Sequence, residues 1–170
     1  MTQIEINDEV IAARLAEIGR RISDPSPLMA DLAELLLVST QDRLAKGIQP
    51  DGQPFAPRSP TTLKRYAKLG IPFGPPLTAR GDMARGIHAG SGPDYASVGS
   101  NAIQAAVMHF GAQKGQFGSV QGKGFGGSTP TIPLPWGDIP ARPFIGISDS
   151  DRSNILDELA EYVADSADGD

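Results

Sequence analysis

The chain has 170 residues, enough for one domain with a real core and too few for two comfortable ones. Its 20 Gly and 15 Pro commit much of it to loop or irregular extended structure, and a net charge of -5 weighs against a nucleic-acid binder, which needs a basic face. With no cysteine there are no disulfides or thiolate metal sites, and no apolar run approaches the roughly 18 residues of a membrane span. The opening MTQIEINDEV carries acids where a secretory signal carries positive charge, so the expectation is a protein made in a reducing cytoplasm.

Four segments read as helices. In the first, Asn7 or Asp8 caps and Val10, Ile11, Leu15, Ile18 and Ile22 form one apolar stripe that ends at Asp24-Pro25. In the second, Ser26 caps with Pro27 at the first helical position. Leu28, Leu32, Leu35, Leu36 and Ser39 share a face, and Gly47 stops the helix. The pair is expected to pack as an antiparallel hairpin. PDGQPFAPRSP, residues 50–60, is a turn followed by an extended, proline-fixed run containing Phe55. Ser59-Pro60 then starts a third helix through Leu63, Tyr66 and Leu69, stopped by Gly70, and 71–76 is loop.

Residues 83–90 and 94–100 flank Ser91-Gly92-Pro93 and predict a β-hairpin. A short helical piece follows at 102–111. From Ala112 to Asp138 periodicity is lost, and the run is first Gly-rich and then Pro-rich. IPARPFIGIS, 139–148, is a predicted strand. Ser148 or Ser150 caps a last helix whose face is Ile155, Leu156, Leu159, Tyr162 and Val163. The fold class is therefore α+β: a helix hairpin on a small antiparallel sheet, a long Gly/Pro-rich loop and a C-terminal helix. Residues 1–170 form a single domain, with 112–138 an extended arm and 166–170 a frayed acidic tail.

Gly122, Gly124 and Gly127 fit the spacing G-x-G-x-x-G of a dinucleotide site. Such a site needs a strand before the glycines and a helix after them, so that backbone N–H groups and the helix dipole hold pyrophosphate. Here GQFGSVQ precedes, and Pro130, Pro133 and Pro135 forbid a helix behind. A P-loop would need glycine at 117 and Ser or Thr at 124, which are Phe117 and Gly124. The loop reads as an arm rather than a phosphate cradle. His88 and His109 lie far apart with no carboxylate at metal-ligand spacing, and Ser128 and Ser91 lack the G-x-S-x-G elbow. No catalytic residues, metal or cofactor are expected.

Four separated pieces carry a resemblance. They are PDGQPFAPRSPTT (50–62), PLTARGDMARGI (76–87), YASVGSNAIQAAVMHFG (95–111) and IPARPFIGIS with DSDRSNIL (139–156). In this order they resemble the phage virion morphogenesis, or tail-completion, family of Mu-like and P2-like phages and prophages, over roughly residues 26–165. The resemblance implies a non-enzymatic virion protein of the head–tail neck or head-proximal tail end. Such a protein is assembled in the bacterial host cytoplasm and completes or joins the tail. It implies a homo-oligomeric ring, often sixfold, around a DNA channel, in contact with other neck, connector and tail-tube proteins and with no membrane. DNA would pass without specific binding, and mild acidity repels phosphate.

Subunit-interface candidates are Phe55, Phe117, Phe125, Trp136, Arg142 and Phe144. Trp136 reads equally as an anchor on a neighbour or as a lid over the domain's own core. Arg142 reads as an inter-subunit contact or as an intramolecular bond fixing its own segment. Two other function classes remain. One is a DNA-contacting adaptor using Lys64, Arg65, Lys68, Lys114 and Lys123; the other is a phage maturation hydrolase.

Overall fold

The computed structural model describes residues 23–123 and 129–168, together with Ala13, Ala16 and Gly19. The predicted stripe from Val10 to Ile22, and with it the first half of the helix hairpin, lies outside these residues, as does Phe125. The described elements run α1 (Ser26–Lys46), α2 (Pro60–Leu69), α3 (Asp82–Arg85), β1 (Ile87–Gly92), β2 (Tyr95–Ser100), α4 (Ala105–Phe110), β3 (Ser119–Gln121), β4 (Thr131–Pro133) and α5 (Asp149–Asp168). The architecture is α+β, with two separate two-stranded antiparallel sheets. None of the described helices is long and apolar enough to cross a membrane.

Helix α1 is the central element, packed against β1 and β2 on one side and α5 on another. It buries Leu28, Leu32, Ala33, Leu36 and Leu44, much of the face expected from the spacing, and Gly47 ends it in the left-handed conformation. Its start departs from expectation. Ser26 is the first helical residue and not the cap, and the Asp24 carboxylate instead accepts from the Ser26 backbone N–H and hydroxyl. Those two bonds lower the Asp24 pKa. Helix α2 follows the sequence closely: Ser59 Oγ accepts from Thr62 N–H, Pro60 opens the helix and Gly70 closes it.

The β1–β2 hairpin forms in the predicted region, one step further along. Gly92 pairs with Tyr95, so the turn is Pro93-Asp94, and Asp82–Arg85 is a single helical turn where a strand start was expected. Ile87 and Val98 from this hairpin meet Leu44, Phe55, Met83, Ala105 and Phe144 in one core cluster. A lone two-stranded hairpin is marginal in water, and burial of these side chains against α1 is what holds it.

Two segments differ more from the sequence reading. Within the predicted arm, Val120 pairs with Ile132 in a short β3–β4 ladder. Bonds from Phe117 N–H to Leu134 O and from Leu134 N–H to Gly118 O continue it, so much of the arm folds back on itself. Residues 139–148, predicted as a strand, make only one bridge, Ile139 to Ala112. Pro140 and Pro143 supply no N–H, so no ladder can run through them.

Helix α5 begins at a reciprocal cap. The Ser148 backbone N–H donates to Asp151 Oδ2 at 2.8 Å and Asp151 N–H donates to Ser148 Oγ at 3.1 Å. Asp151 is also the anchor to α1. Arg43 Nη1 donates to its Oδ2 at 2.6 Å, and Ser39 Oγ donates to its Oδ1. Arg43 Nη2 donates onward to Gly146 O at 2.8 Å. Burial would raise the Asp151 pKa, but the Ser39 hydroxyl, the two Ser148 groups and the Arg43 charge outweigh it and hold the carboxyl below its ordinary value. Among the side-chain nitrogen and oxygen atoms of the described residues, only Arg43 Nε is buried without a hydrogen-bond partner.

Two outcomes follow from this arrangement. Gly111 has φ 75°, and a Cβ there would lie 2.7 Å from Ile139 O and 2.8 Å from Ala141 N. Gly111→Ala should therefore cost about 1–3 kcal/mol in urea denaturation, because the obstructing atoms are backbone. Asp151→Asn leaves Arg43 buried without its counter-charge and should cost about 3–5 kcal/mol at neutral pH. The native carboxylate stabilises fully above its unfolded pKa of about 3.9, and that stabilisation fades as pH falls through the lower folded value. Denaturation followed across the acid range should show this loss in the parent chain and its absence in Asp151→Asn.

Candidate functional site

Among the described residues no three His, Asp or Glu side chains converge to hold a metal ion. The two histidines do not meet in a site. His88 is exposed on β1. His109 stacks edge-on against Phe144 at 5.4 Å, and its Nδ1 accepts from Phe144 N–H at 3.4 Å. Burial lowers its pKa, which favours the neutral ring that this acceptor role requires.

Five of the six interface candidates are among the described residues, and they divide sharply. Phe55 and Phe144 are only 4 % and 0 % exposed and sit together in the chain's own core. They have no surface left for a neighbour, so the interface reading fails for them on burial. Arg142 takes the intramolecular role. Its Nε donates to Ala56 O at 2.6 Å, its Nη2 to Pro57 O at 2.8 Å and its Nη1 to Pro140 O at 3.3 Å. The planar guanidinium fork thereby ties the closing segment to the Phe55 segment, which a lysine could not do with one nitrogen. Burial and the nearby Arg58 charge lower its pKa. Phe117 and Trp136 are 55 % and 66 % exposed, so Trp136 is not a lid over the core.

Trp136 and Arg142 line one open groove of about 600 Å³, together with Leu77, Met83, Met108 and Arg80. Local chemistry builds its walls. Leu77, the only described non-glycine residue with positive φ, turns the chain, and Gly81 in the left-handed region opens α3 so that Met83 points into the core. Arg58 fixes the rim, donating to Gly74 O and Pro75 O with its guanidinium 5.6 and 5.3 Å from the Tyr66 and Phe73 ring centres.

The sequence reading missed two surfaces. One is the β3–β4 hairpin, where Val120, Ile132 and Leu134 join Phe117 as exposed apolar residues. The other is a cleft of about 630 Å³ between α1 and α5, lined by Asp31, Glu34, Val38, Asp42 and Glu158 among others. The paired short strands carry no alternation that would reveal them. The cleft joins residues from two helices far apart in the chain, and only the acids of each helix were visible in advance.

Arg142→Lys should lower stability by about 2 kcal/mol, since the carbonyls of Ala56 and Pro57 lose a charged two-point donor. Urea unfolding followed by fluorescence of the single tryptophan would measure it.

Comparison with known proteins agrees with the assembly of these motifs. The phage virion morphogenesis family matches residues 6–164, starting well before the resembling pieces. Protein G of Escherichia phage Mu, which is named for capsid assembly, is 31% identical over 134 residues, covering 78% of this chain and 76% of the relative. The Mu-like prophage FluMu G protein 2 of Haemophilus influenzae is 25% identical over 163 residues, covering 95% of this chain and 96% of its own length. No solved structure matches. The chain belongs to the phage virion morphogenesis family, and its role is in building the phage particle.

Proposed function

We propose that the chain is a non-catalytic structural component of the head–tail neck or head-proximal tail end. It completes or joins the tail as one subunit of a homo-oligomeric ring around the DNA channel, in contact with other neck, connector and tail-tube proteins. The observation that carries this reading is the β3–β4 hairpin. On it and beside it Phe117, Val120, Ile132, Leu134 and Trp136 are all more than a third exposed. Apolar residues grouped along one projecting segment are a surface that awaits a protein partner.

The chemistry around the hairpin supports the same reading. The chain carries net charge -5, which suits a channel that DNA must traverse without being held. The Mu relative's name speaks of capsid assembly, which fits a protein acting where head and tail meet. A DNA-gripping adaptor is less well supported, because the chain as a whole is acidic, with 20 Asp and Glu against 15 Lys and Arg.

Deleting residues 116–128 from the phage-encoded protein should leave filled heads and finished tails that fail to join, or joints that leak, seen by electron microscopy. Normal infectious particles from this deletion would defeat the proposal. The purified protein should not be retained on DNA at low salt; salt-sensitive retention would favour the adaptor instead.

A further inference from the structure

The β3–β4 ladder leaves one apolar face without a partner. Val120 and Ile132 are directly opposed in the register, so their side chains share a face, and they are 46 % and 37 % exposed. Phe117 and Leu134 extend the apolar surface at 55 % and 38 %. Residues 112–137 contain Lys114 and Lys123 and no Asp or Glu; the arm's one acid, Asp138, closes it, its carboxylate accepting from the Lys114 backbone N–H at 2.8 Å.

Three clefts could receive such a surface. The one beside Phe110 is walled by Ala112, Gln113 and Gln116 of the arm itself, which leaves two that the arm does not build, and their charges separate them. The groove beside Trp136 is lined by Arg58, Arg80 and Arg142 against Asp82 and Asp138, a net basic lining that would oppose a segment bearing two lysines. The α1–α5 cleft has an apolar strip of Leu35 and Val38, the latter 56 % exposed, and no basic lining residue. Lys46 answers Asp42 at 2.6 Å. Asp31, Glu34 and Glu158 form no ion pair among the described residues. The cleft therefore matches the hairpin in both apolar content and charge sign.

We infer that the β3–β4 hairpin of one copy docks in the α1–α5 cleft of the next, with Val120 and Ile132 over Val38 and Lys114 and Lys123 facing Asp31, Glu34 and Glu158. This rests on the ring reading above and gives it a contact. Donor and acceptor are different patches that share no residue, so the contact is heterologous: each copy gives a hairpin and receives one. Repetition of such a contact closes into a ring when the rotation permits.

The chain's lack of cysteine makes a direct test available. Val38→Cys and Val120→Cys together, in the full chain under mild oxidation, should give a ladder of disulfide-linked oligomers. Each variant alone should give no ladder, and a mixture of the two singles should stop at covalent dimers. Leu69→Cys, at a residue 57 % exposed on α2 outside the cleft, replaces Val38→Cys as the control and should not link. In parallel, Lys114→Glu with Lys123→Glu should weaken self-association at least tenfold in sedimentation, as should Asp31→Lys with Glu34→Lys. Combining the two sets should restore it. A chain that assembles but links no better than the control, or whose charge variants assemble unchanged or fail to rescue one another, overturns this contact and leaves the ring reading standing. A chain that is monomeric at every concentration and in particles overturns both.

Discussion

The structure turns on how the closing segment, residues 139–148, is held without a β-ladder. Its two prolines remove the N–H groups that a strand would use, so backbone pairing alone cannot fix it. Two buried arginines take over. Arg142 reaches out from the segment to the carbonyls of Ala56 and Pro57 and back to that of its own Pro140, while Arg43 reaches in from α1 to the carbonyl of Gly146 and to Asp151. A buried guanidinium is expensive to desolvate, and an ion pair in such a place adds little net stability over a well-packed apolar substitute. What it adds is geometry. Five donors in a fixed plane can bind several carbonyls from different chain regions at once.

That junction explains why separated pieces of the sequence resemble one family. The PDGQPFAP run and the PARPF run are the two sides of one contact: Phe55 and Phe144 pack in the same core, and Arg142 of the second run binds carbonyls of the first. The histidine–aromatic–glycine piece joins them, since Arg142 N–H donates to Met108 O and His109 packs on Phe144. Gly111 lets the backbone at 139–141 come within a distance that a side chain would block. These residues build the platform on which the groove and hairpin stand.

Features governed by neighbours in sequence were legible in advance. The caps at Ser59 and Ser148, the left-handed stops at Gly47 and Gly70 and the β1–β2 hairpin all follow from local rules. Features set by distant partners were not. Aromatic identity drew Phe55 and Phe144 into the same candidate set as Phe117 and Trp136, because size and apolarity are the same whether a ring is buried or exposed. Pro/Gly-rich context surrounded all four and could not separate them. The β3–β4 ladder was hidden because three-residue strands rich in Ser, Thr and Pro present no period to read. The α1–α5 cleft was hidden for another reason: Asp31 and Glu34 look like the solvated face of one helix until Glu158 is brought beside them.

The uneven placement of charge and apolar surface has a consequence for assembly. The stretch 112–137, with two lysines and no acids on an acidic chain, leaves the remainder more negative than the whole, so in the proposed assembly identical copies would repel in most orientations and attract in those that bring arm to acid. Charge then selects the approach, and the apolar face of the hairpin supplies contact area once the approach is made. Such a pairing uses unlike patches, so growth has a direction. A ring needs that direction in order to close, and a twofold contact, which uses one patch on both sides, would stop at a dimer. In the proposed ring the same negative remainder would line or flank the channel, where it would disfavour a lasting grip on phosphate. On that proposal one distribution of side chains favours copies binding copies over copies binding DNA.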